Sequence, residues 1–133
     1  MRCYCSICRK TQGGGGFAIN LSGTAETMVV EGEENISVYR AVMEDGQRSP
    51  GERRFCAQCG SGLWAQDPRW PELVHPFASA IDTNLPAAPE TTHIMLGSKA
   101  SWVPVEKGPD DKAFDEYPDE SIAAWHQRMG LEG

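Results

Sequence analysis

The stretch Glu52-Arg53-Arg54-Phe55-Cys56-Ala57-Gln58-Cys59-Gly60-Ser61-Gly62-Leu63-Trp64-Ala65 decides how this chain is read. An extended run reaches a Cys-x-x-Cys, glycines follow it, and Leu63-Trp64-Ala65 resumes the extended pattern, which predicts a β-hairpin with Cys56 and Cys59 at its tip. A tight turn that presents two thiols is the knuckle from which zinc sites are built.

Working outward, the same spacing recurs at the start of the chain, in Met1-Arg2-Cys3-Tyr4-Cys5-Ser6-Ile7-Cys8, and all five cysteines fall in these two places. Two knuckles can close on one metal, so the spacing predicts a single four-thiolate zinc site made by Cys5, Cys8, Cys56 and Cys59. Cys3 is the odd residue. With Cys5 and Cys8 it forms Cys-x-Cys-x-x-Cys, and three thiolates with a fourth position open are the pattern of a catalytic zinc. Spacing leaves both arrangements standing: Cys3 beside a closed site, or Cys3 completing an open one. Unligated buried cysteines are a third reading. A redox dithiol of the thioredoxin type would have to open a helix after a strand in a βαβ pattern, a context that the sequence does not display.

Composition narrows the classes. At 133 residues the chain suits one domain, residues 1–133, and its 40% apolar content suffices for a core. Fourteen glycines and nine prolines, scattered throughout, predict many turns between short strands and a mainly β fold. The net charge of -7 repels phosphate backbones and anionic headgroups, so neither nucleic acid nor a membrane is an expected partner. The absence of a long apolar run or of a signal-type N-terminus makes cytoplasmic location the expectation. There, paired cysteines serve as metal ligands or reactive thiols rather than disulfides.

Strands are predicted at residues 17–21, 28–32, 36–40, 51–55, 63–65, 73–81 and 93–96, with Pro76 interrupting the sixth. Residues 9–12 suit one helical turn, and residues 121–129 a short helix capped by Asp119 or Ser121. Residues 107–120 read as a surface loop, and Gly13 to Gly16 as a flexible connector or as a bare loop that lets a ligand approach the cysteines. Arg9 and Lys10 are either solvated or a carboxylate-binding pair, and His93 either a packed histidine or a general base. Trp64 and Trp102 read as core anchors.

Three segments in order, Cys3-Tyr4-Cys5-Ser6-Ile7-Cys8-Arg9-Lys10, Arg54-Phe55-Cys56-Ala57-Gln58-Cys59-Gly60-Ser61-Gly62-Leu63 and His93-Ile94-Met95-Leu96-Gly97-Ser98-Lys99-Ala100-Ser101-Trp102, resemble the glutathione-dependent formaldehyde-activating enzyme family, with Phe114 and Tyr117-Pro118 resembling its closing segment. The resemblance implies a β-tent, antiparallel sheets meeting at zinc, and carbon–sulfur lyase activity that condenses glutathione with formaldehyde. It matches Cys3, Cys5 and Cys8 to a catalytic zinc trio and Cys56 and Cys59 to half of a structural site. The other half is an upstream Cys-x-Cys, which this sequence does not contain. From that departure follows the expectation that Cys56 and Cys59 recruit Cys5 and Cys8 into one closed zinc site, leaving Cys3 free and the reaction weakened. A non-catalytic zinc module that binds a partner and a thiol redox enzyme on a similar scaffold are the competing functions.

Overall fold

The central hairpin forms: β5 (Glu52–Cys56) and β6 (Gly62–Gln66) pair antiparallel in a computed structural model that describes residues 1–131. The register shifts between Arg54 and Phe55, which face Trp64 and Gly62. This bulge skips Leu63, whose carbonyl accepts instead from Phe77 N at 3.0 Å. Around the hairpin, β3 (Gly23–Thr24), β4 (Ile36–Tyr39) and β7 (Leu73–Pro76) complete a five-stranded sheet of order β3-β7-β6-β5-β4, antiparallel throughout.

A smaller sheet of order β2-β1-β8-β9 holds the chain start, with β1 (Arg2–Cys3), β2 (Ala18–Ile19), β8 (Thr92–Ile94) and β9 (Lys112–Ala113). The expected antiparallel pairing runs through the larger sheet; in the smaller one β1 pairs antiparallel with β2, whereas β1–β8 and β8–β9 are parallel. Parallel neighbours need long crossovers. The excursion through the larger sheet separates β1 from β8 and supplies one. Among the described residues the fold is mainly β, two sheets with two short α-helices, α1 (Ser6–Gln12) and α2 (Ile122–Arg128).

The sheets meet where Asn20 bridges Phe77 and Leu21 N donates to the Pro76 carbonyl at 2.9 Å. Tyr4, Phe77 and His93 are the largest fully buried side chains, with Ala18, Val74, Ile94 and Val103 also buried. His93 is thus a packed histidine. Ser121 caps α2, its Oγ accepting from Ala124 N at 3.0 Å, and Arg128 ties the helix to Glu90 and Glu120.

Several sequence expectations change. Residues 28–32 form no strand, and Val29 is 86% exposed, so its β-branched character was not matched by a surface to pack on. Trp102 is no anchor at 61% exposure. The strand expected over residues 73–81 ends at Pro76, and the loop at residues 107–120 contributes β9. Gly13 and Gly16 are not a free connector: a Cβ on Gly13 would stand 2.7 Å from the Phe17 backbone, and one on Gly16, at φ 108°, 2.4 Å from Val103 Cγ2. Within this run of four, Gly14 and Gly15 face open space. Among the described residues, no helix is long and apolar enough to cross a membrane.

Candidate metal centre

The N-terminal cysteines are arranged by a strand that turns directly into a helix. Backbone pairing of Cys3 with Ile94 and a hydrogen bond from Tyr4 N to the Ile94 carbonyl, 3.1 Å, fix the strand. Cys5 then takes the N-cap of α1, with extended φ/ψ of -64° and 156°, and its Sγ accepts from Cys8 N at 3.3 Å. Alternation along the strand puts Cys3 and Cys5 on one side, and one helical turn brings Cys8 back to them. The three Sγ atoms all lie within 4.8 Å of one another, Cys3 and Cys8 buried and Cys5 half-buried. A strand thus leads directly into the helix at Cys5-x-x-Cys8, but β1 and β2 on either side of α1 pair antiparallel, so no parallel βαβ unit forms there.

A zinc ion with Zn–S bonds near 2.3 Å holds its sulfurs about 3.8 Å apart in a tetrahedron. Three thiols already gathered on one side fit that demand, and Zn is a cofactor these donors can take. Within the group, hydrogen bonds received from Cys3 and Cys5 lower the Cys8 pKa, with the Arg53 guanidinium adding to the effect. Cys3 is raised by the bonds it donates to Cys5 and Cys8 and by burial. In the metal-free group these bonds favour the thiolate at Cys8 over that at Cys3.

Arg53, on β5, reaches across to this sulfur. Its Nη2 donates to Cys8 Sγ at 3.5 Å, and its Nη1 to Gln12 Oε1 at 3.3 Å and Thr11 Oγ1 at 3.5 Å. Asn20 Nδ2 approaches the same sulfur at 3.9 Å. Behind the loop, the fully buried Tyr4 hydroxyl bonds His93 Nδ1 at 2.8 Å, and His93 Nε2 stands 3.8 Å from Asp111 Oδ2. The direction of this bond follows the imidazole tautomer: Tyr4 donates to Nδ1 when the ring proton sits on Nε2, toward Asp111. Burial, and then Arg2, hold the His93 pKa below the ordinary histidine range.

Cys56 and Cys59 do not join this group. Their hairpin tip closes as a knuckle, Gly60 N donating to the Cys56 carbonyl at 2.8 Å and Cys56 N to the Ser61 carbonyl at 2.9 Å. Cys59 is exposed, its Sγ 3.1 Å from Ser61 Oγ, and both cysteines line a cleft of ≈ 790 Å³ with Thr11, Gln12 and Asn35. Hydrogen bonds from Ser61 lower the Cys59 pKa. Of the expected set Cys5, Cys8, Cys56 and Cys59, the structure gathers Cys5 and Cys8 with Cys3, and Cys56 and Cys59 lie outside that group. The reason is topological: one pair belongs to the smaller sheet, the other to the tip of the larger.

Of the expected glutathione residues, Arg9 sits half-buried and Lys10 exposed in the last turn of α1. Arg53, Asn20 and the Tyr4–His93 pair were not singled out as partners of the cysteines, because each depends on which strand lies beside α1 or β1. The sole signal was a cation just ahead of the second knuckle in an acidic chain.

Fold and site define a two-sheet β protein with a three-thiol centre able to hold a metal ion. The family follows: the model of the glutathione-dependent formaldehyde-activating enzyme family matches residues 1–98, and the chain belongs to that family. Over 131 residues it is 64% identical to a Halomonas elongata protein whose name gives it, provisionally, as a glutathione-dependent formaldehyde-activating enzyme, covering 98% of this chain and 83% of that one. A crystal structure of a Rhodobacter sphaeroides protein is similar at 27% identity and a TM-score of 0.47, covering 64% of this chain and 70% of that one.

Proposed function

We propose that this protein is a zinc-dependent carbon–sulfur lyase that joins glutathione to formaldehyde, giving S-hydroxymethylglutathione. The observation that supports this reading is the group of three thiols at Cys3, Cys5 and Cys8. These three residues would hold zinc, with Cys3 a metal ligand rather than a bystander. The ion supplies, when bound, a positive centre that keeps a substrate sulfur in its thiolate form at neutral pH. In the addition, the glutathione sulfur gives up its proton and bonds the formaldehyde carbon while the carbonyl oxygen gains a proton, so neither oxidant nor reductant is needed.

The chain's own residues orient the ligand sulfurs through the α1 cap, the β1–β8 pairing and the Arg53 hydrogen bond. Burial of Cys3 and Cys8 keeps water from two of the three thiols. Arg9 and the exposed Lys10 are offered to glutathione carboxylates. Cys56 and Cys59 are read as half of a separate zinc site that needs two further donors. The chemistry suits a reducing compartment, which makes the cytoplasm part of the proposal.

The test is zinc-loaded protein with glutathione and ¹³C-formaldehyde, following adduct exchange by NMR. Acceleration that disappears in Cys3→Ala is expected; an unaltered rate with and without protein would sink the reading. A thiol redox enzyme is favoured by one observation, the placement of Cys5 at a helix start directly after a strand. Reversible loss of two titratable thiols at Cys5 and Cys8 in zinc-free protein would select it.

A further inference from the structure

We infer that Arg53 is a positioning residue that balances the charge of the three-thiolate centre and so allows it to take a fourth, anionic sulfur ligand. The inference rests on the zinc reading above. A divalent ion held by three thiolates carries one net negative charge, and a substrate thiolate adds a second. The protein as a whole offers no relief, having a net charge of -7. A nearby fixed cation must offset the added charge, because buried like charges repel strongly at short range.

Arg53 meets the requirement. It places one guanidinium nitrogen 3.5 Å from Cys8 Sγ, while its other terminal nitrogen is held by Gln12 Oε1 at 3.3 Å and Thr11 Oγ1 at 3.5 Å, so the fork is anchored to the last turn of α1. Its position is also uncommitted electrostatically. Arg54, Arg69 and Arg128 each pair with a carboxylate, whereas among the described residues Arg53 has none within ion-pair distance. Its charge therefore faces the Cys8 sulfur with no carboxylate within ion-pair distance among the described residues. A planar fork is needed for this double duty, since a lysine ammonium can supply the charge but not the fixed geometry.

Arg53 further lines a small cleft of ≈ 160 Å³ with Thr11, Gln12, Tyr39 and Phe77, which shares Thr11, Gln12, Gly60 and Gly62 with the larger cleft at the second knuckle. The Arg53 side chain therefore both lines this cleft and contacts the Cys8 sulfur. A group acting on the metal through Cys8 would discriminate by the charge of the fourth ligand, not by its shape.

The experiment uses the full chain loaded with Co²⁺ in place of zinc, and reads fourth-ligand binding from the cobalt absorption bands. Glutathione, cysteamine and thiocyanate are the anionic probes, with sulfur bound as thiolate in the first two, and imidazole is the neutral probe. For Arg53→Gln the expected result is a loss of about 10-fold or more in affinity for all three anionic probes, with imidazole within about 2-fold of wild type, in line with the usual cost of removing an outer-shell partner. Arg53→Lys, which keeps the charge but not the fork, should recover part of the loss. Equal loss for imidazole, loss confined to glutathione, or wild-type binding by Arg53→Gln would each overturn the inference, the second because it marks a direct carboxylate contact. If the wild type takes thiocyanate with the expected charge dependence but refuses glutathione, the lyase reading fails while Arg53 keeps its role. A wild-type centre that takes no fourth ligand at all removes both.

Discussion

The two Cys-x-x-Cys segments share a spacing and little else. Cys5 and Cys8 sit at the start of a helix, with a third thiol from the preceding strand and a guanidinium donating to Cys8 Sγ. Cys56 and Cys59 sit on an exposed hairpin tip beside a wide cleft, with Ser61 as the nearest polar neighbour. A spacing specifies how close two thiols can come. The backbone that carries them, and what lies across from it, specifies how many other ligands arrive and how far water is kept out.

The largest expected effect separates the two segments by metal content. Changing Cys3, Cys5 or Cys8 to Ala should weaken zinc binding at the N-terminal centre by at least about 100-fold, given that a complete thiolate site is worth of order 10 kcal/mol and one ligand is a sizeable share. The double change Cys56→Ser, Cys59→Ser should leave that affinity within a few-fold. Chelator competition on the isolated chain measures both. Loss of the N-terminal metal in the hairpin variant would restore the shared four-cysteine site.

Next are the glycines behind each segment. Gly16→Ala forces a Cβ into Val103 at a positive φ and should cost about 3 kcal/mol, the sum of overpacking and left-handed strain. Gly60 also has positive φ, 77°, but a Cβ there meets nothing within 4 Å. Gly60→Ala should cost only the backbone term, about 1 kcal/mol. Chemical denaturation of the two variants side by side would show whether the first segment is the more tightly enclosed; equal losses would deny it.

Tyr4→Phe probes the support of the first segment alone. Removing the hydroxyl leaves His93 Nδ1 buried and unpaired, at a cost of about 1–2 kcal/mol. Because Tyr4 lies between two of the sulfurs, zinc affinity should fall about 10-fold as well. A drop in melting temperature with unchanged metal affinity would make the Tyr4–His93 bond a packing feature only.

The smallest effects are those of pH. The His93 pKa is depressed, so the unfolded chain takes up a proton that the folded chain refuses, and metal-free protein should lose stability as pH falls below the ordinary histidine range. His93→Gln should flatten this slope. At α2, hydrogen bonds from Arg128 depress the Glu90 and Glu120 pKa values. Their contribution is present above the ordinary glutamate range and is lost as pH falls through the lowered values. Being near the surface, it should also fade with salt. Helix content at mild acid pH, compared between wild type and Glu120→Gln, reads this directly.

Much of this was legible in the residues. The hairpin around Phe55, the strands at Ile36 and Leu73, the Ser121 cap and the mainly β class follow from local alternation, turn residues and capping chemistry, which act over a few positions. The three thiols of Cys3, Cys5 and Cys8 were visible as a local motif for the same reason. Errors arose where the outcome depends on a distant segment. Val29 has strand character but no sheet beside it, and Trp102 has the bulk of an anchor but no core to enter. Parallel pairing of β1 with β8 joins strands about ninety positions apart in the sequence, which no short window can register.

What the sequence determined by itself is the inventory: two thiol pairs and an odd cysteine, spaced so that each group can converge. The tertiary structure alone decided the partition. It carried β1 and α1 into one sheet and the second knuckle to the tip of the other, so Cys3 stands with Cys5 and Cys8 while Cys56 and Cys59 stand apart. It also laid β5 against α1, bringing Arg53 to Cys8 across forty-five positions. Ligand spacing is a property of the local backbone, but ligand sharing is a property of how sheets pack, and only contacts between remote strands can settle it.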